Sequence, residues 1–78
     1  MKEYLVKMQQ AYGFKNAKIF FEGNDFIIAI VKTKNDIVYQ LIIEEDNTED
    51  LDDVQYLVTA YAAAGQGRWV EVETAEIF

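Results

Sequence analysis

The chain contains no cysteine and no histidine. The first absence excludes disulfides, thiolate metal sites and a cysteine nucleophile. The second removes the commonest general base and the commonest imidazole metal ligand. Catalysis would have to rest on carboxylates, lysine or tyrosine, and no nucleophile stands beside the carboxylates. Long apolar runs are lacking too: the longest, residues 26–31, is far too short to cross a bilayer. Residues 1–13 are amphipathic and mixed in charge, without the shape of a secretory leader. The expectation is a cytoplasmic protein that is not an enzyme, carries no cofactor or metal, and contacts neither membrane nor nucleic acid directly.

Cations are scarce in the second half. Residues 1–35 hold Lys2, Lys7, Lys15, Lys18, Lys32 and Lys34 against Glu3, Glu22 and Asp25, a net of +3. Residues 36–78 hold eleven carboxylates against Arg68 alone, a net of −10, which together give the overall −7. A field of one sign repels nucleic acid and speeds encounter with basic surfaces.

What the chain does have is apolar bulk. Half of its 78 residues are apolar, with five Phe, five Tyr and one Trp. That suffices for one small domain, residues 1–78, and is too hydrophobic for a disordered acidic tail. So little core is held in reserve that a homodimer or a partner-stabilised state is a natural expectation.

The apolar spacing predicts a helix over residues 2–13, with Leu5, Met8 and Tyr12 on one stripe and Gly13 as its stop. Strands are expected over 17–22, 25–34 and 37–45, joined by a Gly23-Asn24 turn with positive φ and a weaker Asn35-Asp36 turn. The second strand is apolar on both faces, which fits a central place in the sheet. A second helix is expected over 49–64, capped by Asn47 or Thr48, with Leu51, Val54, Val58 and Tyr61 as its buried stripe. Gly65-Gln66-Gly67 would stop that helix, and a last strand over 68–73 would put Val70 and Val72 on one face. The expected class is α+β, with the order α-β-β-β-α-β and an antiparallel meander packed against two helices.

Residues 44–53 are the most unusual stretch, with seven acids in ten positions: Glu44, Glu45, Asp46, Glu49, Asp50, Asp52 and Asp53. Four uses compete for them: a solvated helix start, a surface that imitates nucleic-acid phosphates or docks on a basic site, a divalent-cation loop, and catalysis. The calcium-loop spacing fails at the glycine of loop position six and at the terminal bidentate glutamate. Capping a helix uses only two or three such acids, and the surplus favours a partner. Trp69, facing away from Val70 and Val72, is either an interface anchor or the cover of a sheet edge.

A helix, a three-stranded meander and an acidic strand-to-helix corner together resemble the small phage anti-CRISPR inhibitors, nearest in general plan to the Listeria-prophage type. The similar stretch runs from Ala17 to Gly65. It passes through Lys18-Ile19-Phe20-Phe21-Glu22-Gly23, residues 27–36 and Tyr39-Gln40-Leu41-Ile42-Ile43-Glu44-Glu45. The resemblance implies a non-catalytic inhibitor whose acids, Glu44 to Asp46 and Glu49 to Asp53, occupy the basic nucleic-acid site of a CRISPR effector or other DNA-binding protein. The other expectation is a structural or oligomerisation module. It would make apolar contacts through Trp69, Val38, Ile42, the last strand and the Ile77-Phe78 tail. Double-stranded RNA-binding domains share the α-β-β-β-α order, but they need lysines where this chain has Glu49, Asp50, Asp52 and Asp53.

Overall fold

The opening helix forms where the spacing predicts it. In the computed structural model, which describes residues 1–46 and 55–77, α1 spans Lys2–Tyr12. Leu5 and Met8 are its buried residues, one turn apart on the face that meets the sheet. Gly13 adopts φ 67° and ψ 37°, and its N–H donates to the Gln9 carbonyl at 2.9 Å. This left-handed stop is nearly free of strain only for glycine. The chain then turns at Phe14, which is buried in the core.

Five strands follow: β1 Asn16–Glu22, β2 Phe26–Lys32, β3 Val38–Asp46, β4 Gln55–Ala63 and β5 Trp69–Val72. They form one antiparallel sheet in the order β1-β2-β3-β4-β5. A 3₁₀ turn, Thr74–Glu76, follows the last strand. The class is α+β and the meander is antiparallel, as expected.

The second helix is not there in the described residues. Residues 55–63 are strand β4, paired with β3 from Tyr39↔Ala62 to Asp46↔Gln55. The physical reason lies in what alternates: Tyr56, Val58, Ala60 and Ala62 lie on the core side, and Leu57, Thr59 and Tyr61 on the other. A segment apolar on both faces satisfies period 2 and period 3.6 alike, and its Tyr, Val and Thr content favours the pleated form. Val58 and Tyr61, placed together on a helical stripe by the sequence, lie on opposite faces. The remainder of that expected helix, its caps Asn47 and Thr48 and the positions Leu51 and Val54 fall outside the described residues.

Three turns also differ in detail. Gly23 N–H donates to the Phe26 carbonyl at 2.8 Å, closing the first hairpin, yet neither Gly23 nor Asn24 has positive φ. In the second hairpin Asp36 takes φ 65° while its N–H donates to the Thr33 carbonyl at 3.0 Å and Thr33 N–H to the Ile37 carbonyl at 2.9 Å. This is the three-residue loop in which a tight turn ends on a left-handed residue. Gly65-Gln66-Gly67 ends a strand, not a helix. Gln66 at φ 54° and Gly67 at φ 74° are the two positive-φ central residues of a type I′ turn, closed by Arg68 N–H to the Gly65 carbonyl at 3.0 Å.

The core lies between α1 and one face of the sheet. Ile27, Val31, Leu41 and Ile43 are its largest fully buried side chains, with Ala29 and Ala60 filling the close approaches between them. Ile77 packs against this same core, so it belongs to the folded unit rather than to a free apolar tail. Phe78 lies outside the described residues. Ile37, which strand alternation would put on one face with Tyr39, Leu41 and Ile43, precedes β3 and is exposed. β2 is flanked on both sides as its two apolar faces predict, although β3 is the middle strand.

Candidate functional site

The register shows what lies on the other side of the sheet. Lys18, Ile30, Gln40, Tyr61 and Glu71 are cross-strand partners in one row spanning all five strands. Phe21, Ile28, Ile42 and Thr59 form the next row, and Phe26, Glu44 and Leu57 the one after. All three rows alternate with the core residues, so their side chains project from the face opposite α1. No described helix covers them.

Exposure confirms that this face meets solvent. Phe20 is 77% exposed, Leu57 55%, Phe21 49% and Trp69 39%, while Phe26, Ile28, Ile30 and Ile42 are half-buried by their neighbours alone. Phe20 owes its position to a β-bulge: the β1–β2 register shifts between Ile19 and Phe21, leaving Phe20 as the extra residue. Phe21 stacks on Phe26 with ring centroids 5.6 Å apart. Phe20 and Trp69, from the two edge strands, together with Ile30 and Gln40, line a shallow cleft of about 140 Å³. Monomeric proteins rarely leave a contiguous apolar surface of several hundred Å² uncovered.

Trp69 therefore stands where the sequence places it, beside Glu71 and opposite Val70 and Val72, which pair with Ala62 and Ala60. It is half-covered and shares the second face with Val38 and Ile42. Sequence reasoning missed Phe20, Phe21, Leu57 and Tyr61 as parts of the same surface. The available signal was that β2 is apolar on both sides, while among the described residues one helix covers one side only.

Of the acidic residues, Glu44, Glu45 and Asp46 end β3. Glu49, Asp50, Asp52 and Asp53 lie outside the described residues. Antiparallel pairing gathers Glu22, Asp25, Glu44, Glu45 and Asp46 at one end of the sheet, where Glu45 N–H donates to the Asp25 carbonyl at 2.9 Å. Lys2 bridges Glu22 at 3.3 Å, and among the described residues no cation lies within 4 Å of Glu44, Glu45 or Asp46. The opposite end carries Lys15, Lys18, Lys32, Lys34 and Arg68 against Asp36, which Lys15 meets at 2.7 Å. Among the described residues, carboxylates thus predominate at one end of the strands and lysines at the other.

Glu3, in the first turn of α1, is held below the ordinary carboxylate range. The hydrogen bond from its own backbone amide comes first, then the Met1 ammonium at 3.5 Å. No described group of three or more His, Cys, Asp or Glu side chains is arranged to hold a metal ion. No described helix is long and apolar enough to cross a membrane. Comparison with family models, curated proteins and solved structures returned no match.

Proposed function

We propose that this chain is a non-catalytic protein-binding module whose contact surface is the second face of its sheet. One observation carries this: three cross-strand rows of mainly aliphatic and aromatic side chains lie on the face opposite α1, with Phe20, Leu57 and Trp69 exposed. Interface centres have this composition, in which aromatic anchors sit among aliphatic neighbours with charges at the rim. Lys18, Glu44 and Glu71 supply that rim. The lack of His and Cys in the sequence removes the side chains most often used for chemistry.

The test is substitution on the exposed face. Leu57→Glu and Phe20→Ser change exposed positions and should leave the far-UV dichroism and the melting cooperative. Any association of the parent, with itself or with a captured protein, should be lost in both variants. Association that survives both substitutions at parental strength defeats the proposal.

A second use is favoured by a separate observation: at one end of the sheet Glu44, Glu45 and Asp46 stand with no described cation within 4 Å. In it the chain is an acidic inhibitor that occupies the basic nucleic-acid site of a CRISPR effector or another DNA-binding protein. Charge reversal at Glu45, Asp46, Asp50 and Asp53 would then abolish binding, and binding would weaken steeply with salt. Binding indifferent to both changes would rule it out.

A further inference from the structure

We infer that the occupant of the sheet face opposite α1, which no described helix covers, is a second copy of this chain, stacked face to face about a two-fold axis lying across the strands. This rests on the proposal that the face is a protein contact, and it names the partner.

Area supplies the first support. Five strands about 4.8 Å apart and roughly 25 Å long present about 500 Å² of flat surface, and side-chain relief increases it. Two such faces remove roughly 1,000 Å² in total before side-chain relief is added, about the least that a specific interface buries. Two sheets stacked this way, about 10 Å apart, form the ordinary two-layer solution for a sheet apolar on both sides.

Charge supplies the second, and it selects the axis. A two-fold axis parallel to the strands would set the acidic end of one copy on the acidic end of the other. The axis across the strands exchanges the ends. It passes near the row Phe21, Ile28, Ile42 and Thr59, with one rim-carrying row on either side. Lys32 on β2 and Lys18 on β1 of one copy then lie over the acidic end of the other, one and two strands from the β3 residues Asp46 and Glu44, twice over. The separation of charge is self-complementary in this arrangement, so it opposes the wrong orientation and favours the right one.

The sheet edges offer no comparable route. β5 is only four residues long, and β1 carries the bulge at Phe20 and the exposed Lys18. Short, bulged and charged edges are poor templates for strand addition. That leaves the face.

Sedimentation equilibrium of the full chain tests this. The parent is expected to be a dimer at micromolar concentration and Leu57→Glu a folded monomer. Glu44→Lys with Asp46→Lys places like charges at both rims and should raise the dissociation constant by about tenfold. Adding Lys18→Glu and Lys32→Glu to that variant restores complementarity and should bring the constant back to within roughly threefold of the parent. A parent that stays monomeric to about 0.5 mM overturns the second copy as occupant. If Leu57→Glu then still abolishes binding of some other protein, the broader proposal stands alone. A dimer unchanged by Leu57→Glu defeats both, and a dimer tightened by the two-residue lysine variant overturns the end-exchanged arrangement.

Discussion

Ala60 separates a strand from a helix over residues 55–63 more cleanly than any other position. In the sheet it is fully buried, with Leu41 on one side and Val72 on the other. Replacing it by Leu forces three extra carbons into a site already closed by both neighbours, which costs about 1–3 kcal/mol in displaced side chains and backbone. For a domain of this size each kcal/mol moves Tm by about 4–8 °C, so Ala60→Leu should melt roughly 5–20 °C below the parent. On a helix with Leu51, Val54, Val58 and Tyr61 buried, the same residue sits about 180–200° from Leu51 and Val58, at 100° per residue. It would face solvent there, and Leu would change stability by only a few tenths of a kcal/mol. Thermal melts followed by circular dichroism at one fixed protein concentration decide the matter. Ala63→Leu, at the exposed end of the same strand, serves as the control. A Tm within about 2 °C of the parent for Ala60→Leu would refute the buried-strand assignment.

Other expected outcomes follow from single sites. Leu41→Ala removes a fully buried side chain from the middle strand and should cost about 3 kcal/mol, read as a lower midpoint in urea with an unchanged slope. Gln66 holds φ 54° without the freedom of glycine, so Gln66→Asn should gain about 0.5 kcal/mol and raise Tm by a few degrees. A lower Tm would mean the Gln66 side chain contributes something the turn geometry does not explain. Glu3 should titrate below an ordinary glutamate in an NMR pH series. Because its folded pKa is lowered, its contribution is present above the unfolded value and disappears as pH falls through the folded one. Glu3→Gln should therefore flatten that acid-side dependence, and an ordinary titration for Glu3 would remove the effect. If the second copy covers the sheet, Tm should rise with protein concentration in the parent and stay constant in Leu57→Glu.

How much was legible in the sequence depends on how many faces each segment buries. α1 has one apolar stripe and a glycine stop, and both were readable. β1 to β3 were readable because glycine and aspartate mark their turns. β4 was not: a segment apolar on both faces satisfies a helical stripe as readily as a strand, and only pairing with β3 decides between them. The same ambiguity hid most of the candidate surface. Leu57 and Tyr61 could not be placed beside Ile42 and Gln40 until β4 was known to be a strand. The bulge that exposes Phe20 depends on a register shift that no local pattern announces. Trp69 was legible because its own strand alternates.

The acidic stretch and the apolar face were competing explanations in the sequence, and in the fold they become complementary. Acids beyond those a helix start needs looked like a surplus waiting for a basic partner. With residues 55–63 in a strand, Glu44, Glu45 and Asp46 instead form one end of a sheet whose other end is basic. A dipole laid along an apolar face does what neither feature does alone. The face supplies area without direction, and the charges supply direction with little net stabilisation at an exposed rim. A two-fold axis that exchanges the ends would satisfy both and consume the whole face, so the assembly proposed above would close at two copies. The blunted edges then matter in a second way. A single-layer sheet with long open edges and one apolar face would be a template for continued growth, whereas a four-residue β5 and a bulged β1 would oppose growth beyond the proposed pair.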